Sequence, residues 1–240
     1  MAYRLAEKGD FGDLASGSVL RSAPGHPAFP VRLASEIFQR AALRLPGRDR
    51  LTLWDPCCGS GYLATVLGLL HRDRLGMVLA SDADEGAVAL AKDNLALLTE
   101  TGLRARAVTL EDRARRFAKP SYDEAASAAR RLAGSLAAGG GDLPAAARRA
   151  DVFDPGRLVA ALDGLAPDLV ITDVPYGHQT RWAGAAPAGG ELEAMVRTLA
   201  SVLPRHALIA VVAEARRIPL PGAVERLRVG KRACAIIPVT

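Results

Sequence analysis

The chain has little aromatic content, 5% of its 240 residues, and only three cysteines. Cys57, Cys58 and Cys234 are too few for a disulfide framework. The adjacent pair also lacks the two-residue spacer of zinc-binding and thioredoxin-like motifs. The cysteines therefore read as small, buried, reduced thiols, and no metal is expected. No apolar run reaches the ~18 residues that a membrane-spanning helix requires. The opening MAYRLAEKGDFGD contains no apolar signal core, so a cytoplasmic protein without a membrane partner is expected. No internal repeat is visible. Half of the residues are hydrophobic, enough for one sizeable core, and a single domain over 1–240 is expected.

Charge is present but unevenly placed. The net charge is +5, and the sequence pI is about 9.4. Residues 104–149 hold ten Lys/Arg against five Asp/Glu, and residues 205–232 hold seven against two. Such clusters suit a polyanion such as RNA. Solvated faces in an arginine-rich composition would look the same.

Periodicity divides the chain. Residues 1–28 show almost none and read as an ordered arm; with the helix expected over 31–44 they form an N-terminal unit, 1–45. Val31, Ala34, Ile37, Phe38 and Ala41 form the apolar stripe of that helix. Leu51–Trp54 reads as a buried strand, Tyr62–His71 as a helix, Met77–Ser81 as a strand and Glu85–Leu98 as a helix. This alternation argues for a parallel α/β sheet. Residues 104–145 then interrupt it. Ser121 and Glu124 have capping-box spacing before an alanine-rich helix at 122–137, so this stretch reads as a basic helical insertion. Strands are expected again at Arg149–Phe153, Asp168–Thr172 and Ala207–Ala213, and a helix over Glu191–Leu203. AGAAPAGG, 183–190, reads as a small-residue loop. Val224–Val229 and Arg232–Val239 flank Gly230 and Lys231 as a terminal hairpin.

The chemistry concentrates in two short stretches. In DPCCGSGY, residues 55–62, a strand ends in Asp55 and a helix begins after Gly59 and Gly61. Glycines admit backbone close to a ligand, and a helix N-terminus offers free N–H groups. Asp82, in SDAD, ends the next strand, where a carboxylate can accept from both ribose hydroxyls. NAD and S-adenosylmethionine both suit this spacing. The third glycine of the dinucleotide motif is missing, and Asp55 suits an ammonium better than a diphosphate. The second stretch is DVPYG. Asp173, Pro175 and Tyr176 follow a strand, at the edge where open α/β sheets bind ligands. An acid that accepts from base N–H groups, a rigid turn and a stacking ring suit methyl transfer to an unstacked nucleobase. Hydride transfer needs none of these.

Together DPCCGSGY, SDAD, ADVFDP and DVPYG resemble the class I S-adenosylmethionine-dependent methyltransferases. DVPYG is similar to the (D/N)PPY box of amino-methylating enzymes, with Val174 in place of the first proline. The stretches EKGDFGDLASGSVLRSAPGHPAFPVRLASEIFQRA, LWDPCCGSGYLATVLGLLH, FAKPSY and ITDVPYGHQTRW resemble, over nearly the whole chain, the AviRa-type avilamycin-resistance rRNA methyltransferases. The resemblance implies a Rossmann-like, mostly parallel sheet with a C-terminal antiparallel hairpin and a helical insertion. It also implies S-adenosyl-L-methionine as cofactor, a guanine base of 23S rRNA as acceptor, at N1, and resistance to orthosomycin antibiotics. The partner would be 23S rRNA or the large ribosomal subunit, and the protein a monomer.

By the same resemblance Asp55, Cys57, Gly59, Gly61 and Tyr62 would meet the methionine part of the cofactor. Asp82 would hold its ribose, and Asp151 and Val152 would stand at the adenine. Asp173, Pro175 and Tyr176 would handle the guanine. Arg21, Arg32, Arg113, Arg115, Arg116, Lys119, Arg181 and Trp182 are the candidate RNA contacts; His26 reads as a loop residue beside the cleft. Three rivals are a DNA or other RNA base amino-methyltransferase, an NAD-dependent oxidoreductase and a non-catalytic RNA-binding module.

Overall fold

Apolar residues alternate along the strands, and this alternation sets the layers. In a computed structural model, residues 3–15, 17–174 and 190–239 are described. The strands are β1 (Leu51–Asp55), β2 (Leu75–Asp82), β3 (Ala145–Arg149), β4 (Leu169–Asp173), β5 (Leu208–Glu214), β6 (Glu225–Val229) and β7 (Arg232–Pro238). They form one seven-stranded sheet in the order β3-β2-β1-β4-β5-β7-β6. The first five are parallel, whereas β7 pairs antiparallel with both β5 and β6. Leu208, Ala210 and Val212 of β5 face one core, and Ile209, Val211 and Ala213 face another. That is the period-2 pattern of a sheet covered on both sides.

Helices α1 (Val31–Ala42), α2 (Tyr62–Leu70) and α3 (Glu85–Leu95) pack on the first face. Helices α6 (Pro155–Leu162) and α7 (Glu191–Val202) pack on the second. Two more helices, α4 (Glu100–Phe117) and α5 (Pro120–Ala138), lie between α3 and β3. Leu103, Ala107, Leu110 and Ala114 line one side of α4 at spacings of three and four, and Ala125, Ala129, Ala133 and Leu136 line one side of α5. Small residues on α5 let the pair pack closely.

Several boundaries differ from the sequence reading. The expected helix at 85–98 stops at Leu95, and a 3₁₀ turn leads to Thr99, whose hydroxyl accepts from Gly102 N–H at 3.0 Å to start α4. Ser121 is not a cap: Lys119 holds the cap position, Pro120 opens the helix, and no side chain bonds there. The strand expected at Arg149–Phe153 lies earlier, at Ala145–Arg149. Its sequence AAARR carries no apolar run because β3 is an edge strand that pairs with β2 alone. The loop 183–190 falls, but for Gly190, outside the described residues.

Candidate active site

The strand order reverses between β1 and β4, and a crevice opens there at the C-terminal strand edge. Asp55 ends β1, Asp82 ends β2 and Asp173 ends β4. All three line one cavity of about 350 Å³. Pro56, Cys57, Cys58, Gly59, Tyr62, Leu63, Ala83, Ala150 and Val152 are among its other lining residues, and Gly25, His26, Pro27 and Phe29 of the N-terminal arm line it too.

The β1–α2 turn follows from its glycines, and each is required for its own reason. Gly59 has φ +51, and its N–H donates to Asp82 Oδ2 at 2.8 Å; a Cβ there would sit 2.9 Å from His26 Nδ1. Gly61 has φ +71 and caps α2, where a Cβ would press on Ala91 of α3 at 2.9 Å. Gly61 thus serves helix–helix approach and is not part of the cavity wall. Asp82 also accepts from Asp84 N–H at 3.0 Å, so each of its oxygens already holds one backbone donor.

Burial pushes Asp55 up to about 7, and the carboxylates of Asp82 and Asp173 reinforce the shift. Burial likewise pushes Asp173 up to about 6, against the pull of the Arg232 guanidinium. Arg232 Nη2 lies 3.5 Å from Asp173 Oδ2. Burial drives Cys57 and Cys58 well above the usual thiol range, with Asp55 and Asp82 adding to it. Both remain protonated, so neither is a nucleophile. Among the described residues no group of three His, Cys, Asp or Glu converges as a metal site.

Val174 explains the departure from a double-proline box. Its N–H donates to Val212 O at 2.9 Å, extending the β4–β5 ladder beyond Asp173. A proline there would lack that donor. Pro175, Tyr176, Arg181 and Trp182 lie outside the described residues. Asp151 turns its carboxylate to accept from Phe153 N–H at 3.0 Å, while Val152 lines the cavity.

Two of the expected RNA contacts also tie down the arm. Arg21 reaches Asp93 of α3, and Arg32 donates twice to Ala6 O and lies over the Tyr3 ring. Arg113, Arg115, Arg116 and Lys119 are exposed around the α4–α5 turn, beside Phe117, which is 51% exposed. Arg115 pairs with Asp112. Sequence reasoning misses Arg232 and Phe29 as site residues. Their signal is tertiary: Phe29 lines the cavity from the arm, and Arg232 meets Asp173 through the antiparallel pairing of β7 with β5.

The sequence profile described as rRNA methyltransferase AviRa matches residues 1–232. The chain belongs to the AviRa family of rRNA methyltransferases. A 23S rRNA (guanine(2535)-N(1))-methyltransferase of Streptomyces viridochromogenes is 57% identical over 239 residues, covering 98% of this chain and 95% of that protein. The AviRa crystal structure from that organism at 1.5 Å has a TM-score of 0.93, covering 100% of this chain and 97% of the other. The structure at 2.4 Å gives 0.92 with the same coverage. The AviRa-family fold is thus a class I methyltransferase fold, and the chain is an rRNA methyltransferase.

The cavity fits S-adenosylmethionine by its own chemistry. Asp55, Asp82 and Asp173 suit a ligand that carries positive charge, and Leu63, Ala83, Ala150 and Val152 suit an apolar ring.

Proposed function

We propose that this protein methylates N1 of a guanine in 23S rRNA, using S-adenosyl-L-methionine, and so confers resistance to orthosomycin antibiotics such as avilamycin. The observation that carries the mechanism is the meeting of Asp173 with the acidic cofactor pocket at one strand edge. Asp55 would meet the cationic part of the cofactor, Asp82, held by the Gly59 turn, would take its ribose, and Val152 would stand at its adenine. When bound, the cofactor supplies a methyl group already activated on a sulfonium. The chain's work is therefore alignment and proton handling. Guanine N1 carries a proton that must leave as its bond to carbon forms. Asp173 accepts it, and the raised affinity of this buried carboxylate for a proton suits that step. The guanine must leave its stack to reach the cavity; Pro175 and Tyr176 would form the turn and ring that receive it.

The acceptor RNA approaches along the basic surface of the insertion, where Arg113, Arg115, Arg116 and Lys119 meet phosphates. Arg181 and Trp182 would add a phosphate partner and a stacking ring beside the base. The enzyme acts as a monomer in the cytoplasm. Mass mapping of 23S rRNA from cells with and without this protein tests the reading. One additional methyl on a guanine is expected, and identical maps would sink it. Replacing the four basic residues with neutral ones should lower the salt slope of RNA binding by about 0.7–0.9 for each phosphate that they neutralise, with cofactor affinity unchanged. An unchanged slope would move the RNA surface to residues 205–232.

A further inference from the structure

Among the described arginines, Arg232 is the one paired with a carboxylate that lines the acidic cavity. It opens β7 opposite Glu214 of β5, and its Nη2 lies 3.5 Å from Asp173 Oδ2. Its Cζ stands 5.2 Å from the ring centroid of Phe29, a cavity residue of the arm. Its Nε is buried with no partner among the described residues. Arg32 and Arg106, by contrast, each donate two N–H groups to backbone carbonyls. Those two tie segments together. Arg232 donates to no backbone carbonyl among the described residues, and its charge faces Asp173.

We propose that Arg232 is a positioning residue for methyl transfer, holding the Asp173 carboxylate ionised and fixed in orientation to receive the guanine N1 proton. The inference rests on the reading of Asp173 as the proton acceptor. Other charged groups also face Asp173. Asp55 lines the cavity from β1, and Glu214 of β5 opposes the ionisation of Asp173; Lys231, 4.0 Å from Glu214, partly offsets the latter. His26 lines the same cavity from the arm. Arg232 is the cation set directly against the carboxylate, and Phe29 limits where its guanidinium can lie.

The test is single-turnover methyl transfer to 23S rRNA from cells lacking the protein, both as naked RNA and as large subunits. Rates are followed from about pH 5.5 to 8.5 for the wild type, Arg232→Gln, Arg232→Lys and Asp173→Asn. Wild-type rates should fall toward acid pH. In Arg232→Gln the acid limb should move up by about one pH unit, a roughly tenfold loss below it that closes at high pH. Arg232→Lys should keep the limb near the wild-type position, and this variant covers the case in which glutamine disturbs the hairpin. Cofactor affinity should not change in either. A loss equal at every pH, an unmoved limb in Arg232→Gln, or a lysine limb displaced like that of glutamine overturns the inference. In each of these cases an inactive Asp173→Asn leaves the reading of Asp173 standing. Wild-type turnover in Asp173→Asn overturns both.

Discussion

The two halves of the cavity use the same side chain differently. On the β1–β2 side, Asp82 is gripped by the N–H groups of Gly59 and Asp84 at 2.8 and 3.0 Å. On the β4–β7 side, Asp173 has a guanidinium at 3.5 Å, and burial raises it to about 6. Backbone donors stabilise a carboxylate as a fixed charge. A buried carboxylate with one looser partner is suited to exchanging a proton. Position at a strand end does not distinguish holder from acceptor; the surrounding donors do.

The strongest way to break this contrast is Asp173→Asn. Methyl transfer should fall by about 10²–10⁴ with cofactor still bound, as read by single-turnover rates and calorimetric titration. Loss of cofactor affinity with normal turnover at saturation would exchange the two roles. Asp82→Ala comes next. Cofactor binding should weaken by about 1.5–3 kcal/mol, and the melting temperature should also fall, because two backbone donors lose their acceptor. Unchanged affinity in a folded variant would remove Asp82 from the site.

Asp55 sharpens the comparison from between the halves. Its folded-state pKa, about 7, lies above the unfolded value, so the native state retains a proton that the unfolded chain releases. Stability of the cofactor-free protein should therefore fall as pH rises from about 4 to 7 through this group. Asp55→Asn should raise the melting temperature at pH 8, on the order of 5 °C, and much less at pH 4.5. The same variant should bind cofactor more weakly. Equal shifts at the two pH values would show that the carboxylate is not strained by burial. The smallest effect is expected from Gly61→Ala. Its Cβ would meet Ala91, away from the cavity, and thermal melting should show a cost of roughly 1–3 kcal/mol with little change in cofactor affinity at permissive temperature.

Much of this arrangement is legible in the chain. Apolar runs such as DLVIT end in acids, and the alternation with helices brings those acids to one edge of a parallel sheet. What escapes the sequence is what depends on partners. AAARR becomes a strand because β2 offers it an edge. Ser121 and Glu124 have the spacing of a capping box, yet the helix begins at Pro120, two residues before the expected start at 122. Arg21 and Arg32 read as RNA contacts in the sequence, and the hydrogen bonds that their guanidinium groups make to Asp93 O and Ala6 O carry no local signature. The Arg232–Asp173 pair joins segments far apart in sequence, and no local pattern marks it. The glycines of DPCCGSGY are conspicuous, but the closeness of Ala91, which leaves no room for a Cβ at Gly61, comes from another helix.

The N-terminal arm also constrains the order in which the molecule can be assembled. Arg4, Leu5 and Ala6 donate their N–H groups to Glu36, Leu14 O accepts from Tyr62, and Asn94 bonds both ways with Arg21. Ser18 and Val19 are then held by Arg106, and Asp13 by Arg131 of α5. Each anchor lies later in the chain than the segment it holds. During synthesis the arm therefore emerges before its seat and must wait for it. The pocket residues Gly25, His26, Pro27 and Phe29 are thus made before the residues that fix the arm. The α4–α5 insertion is thus also a latch: Asp13 gains its partner only once Arg131 has emerged, and the pocket's own Ala150, Val152 and Asp173 follow later still.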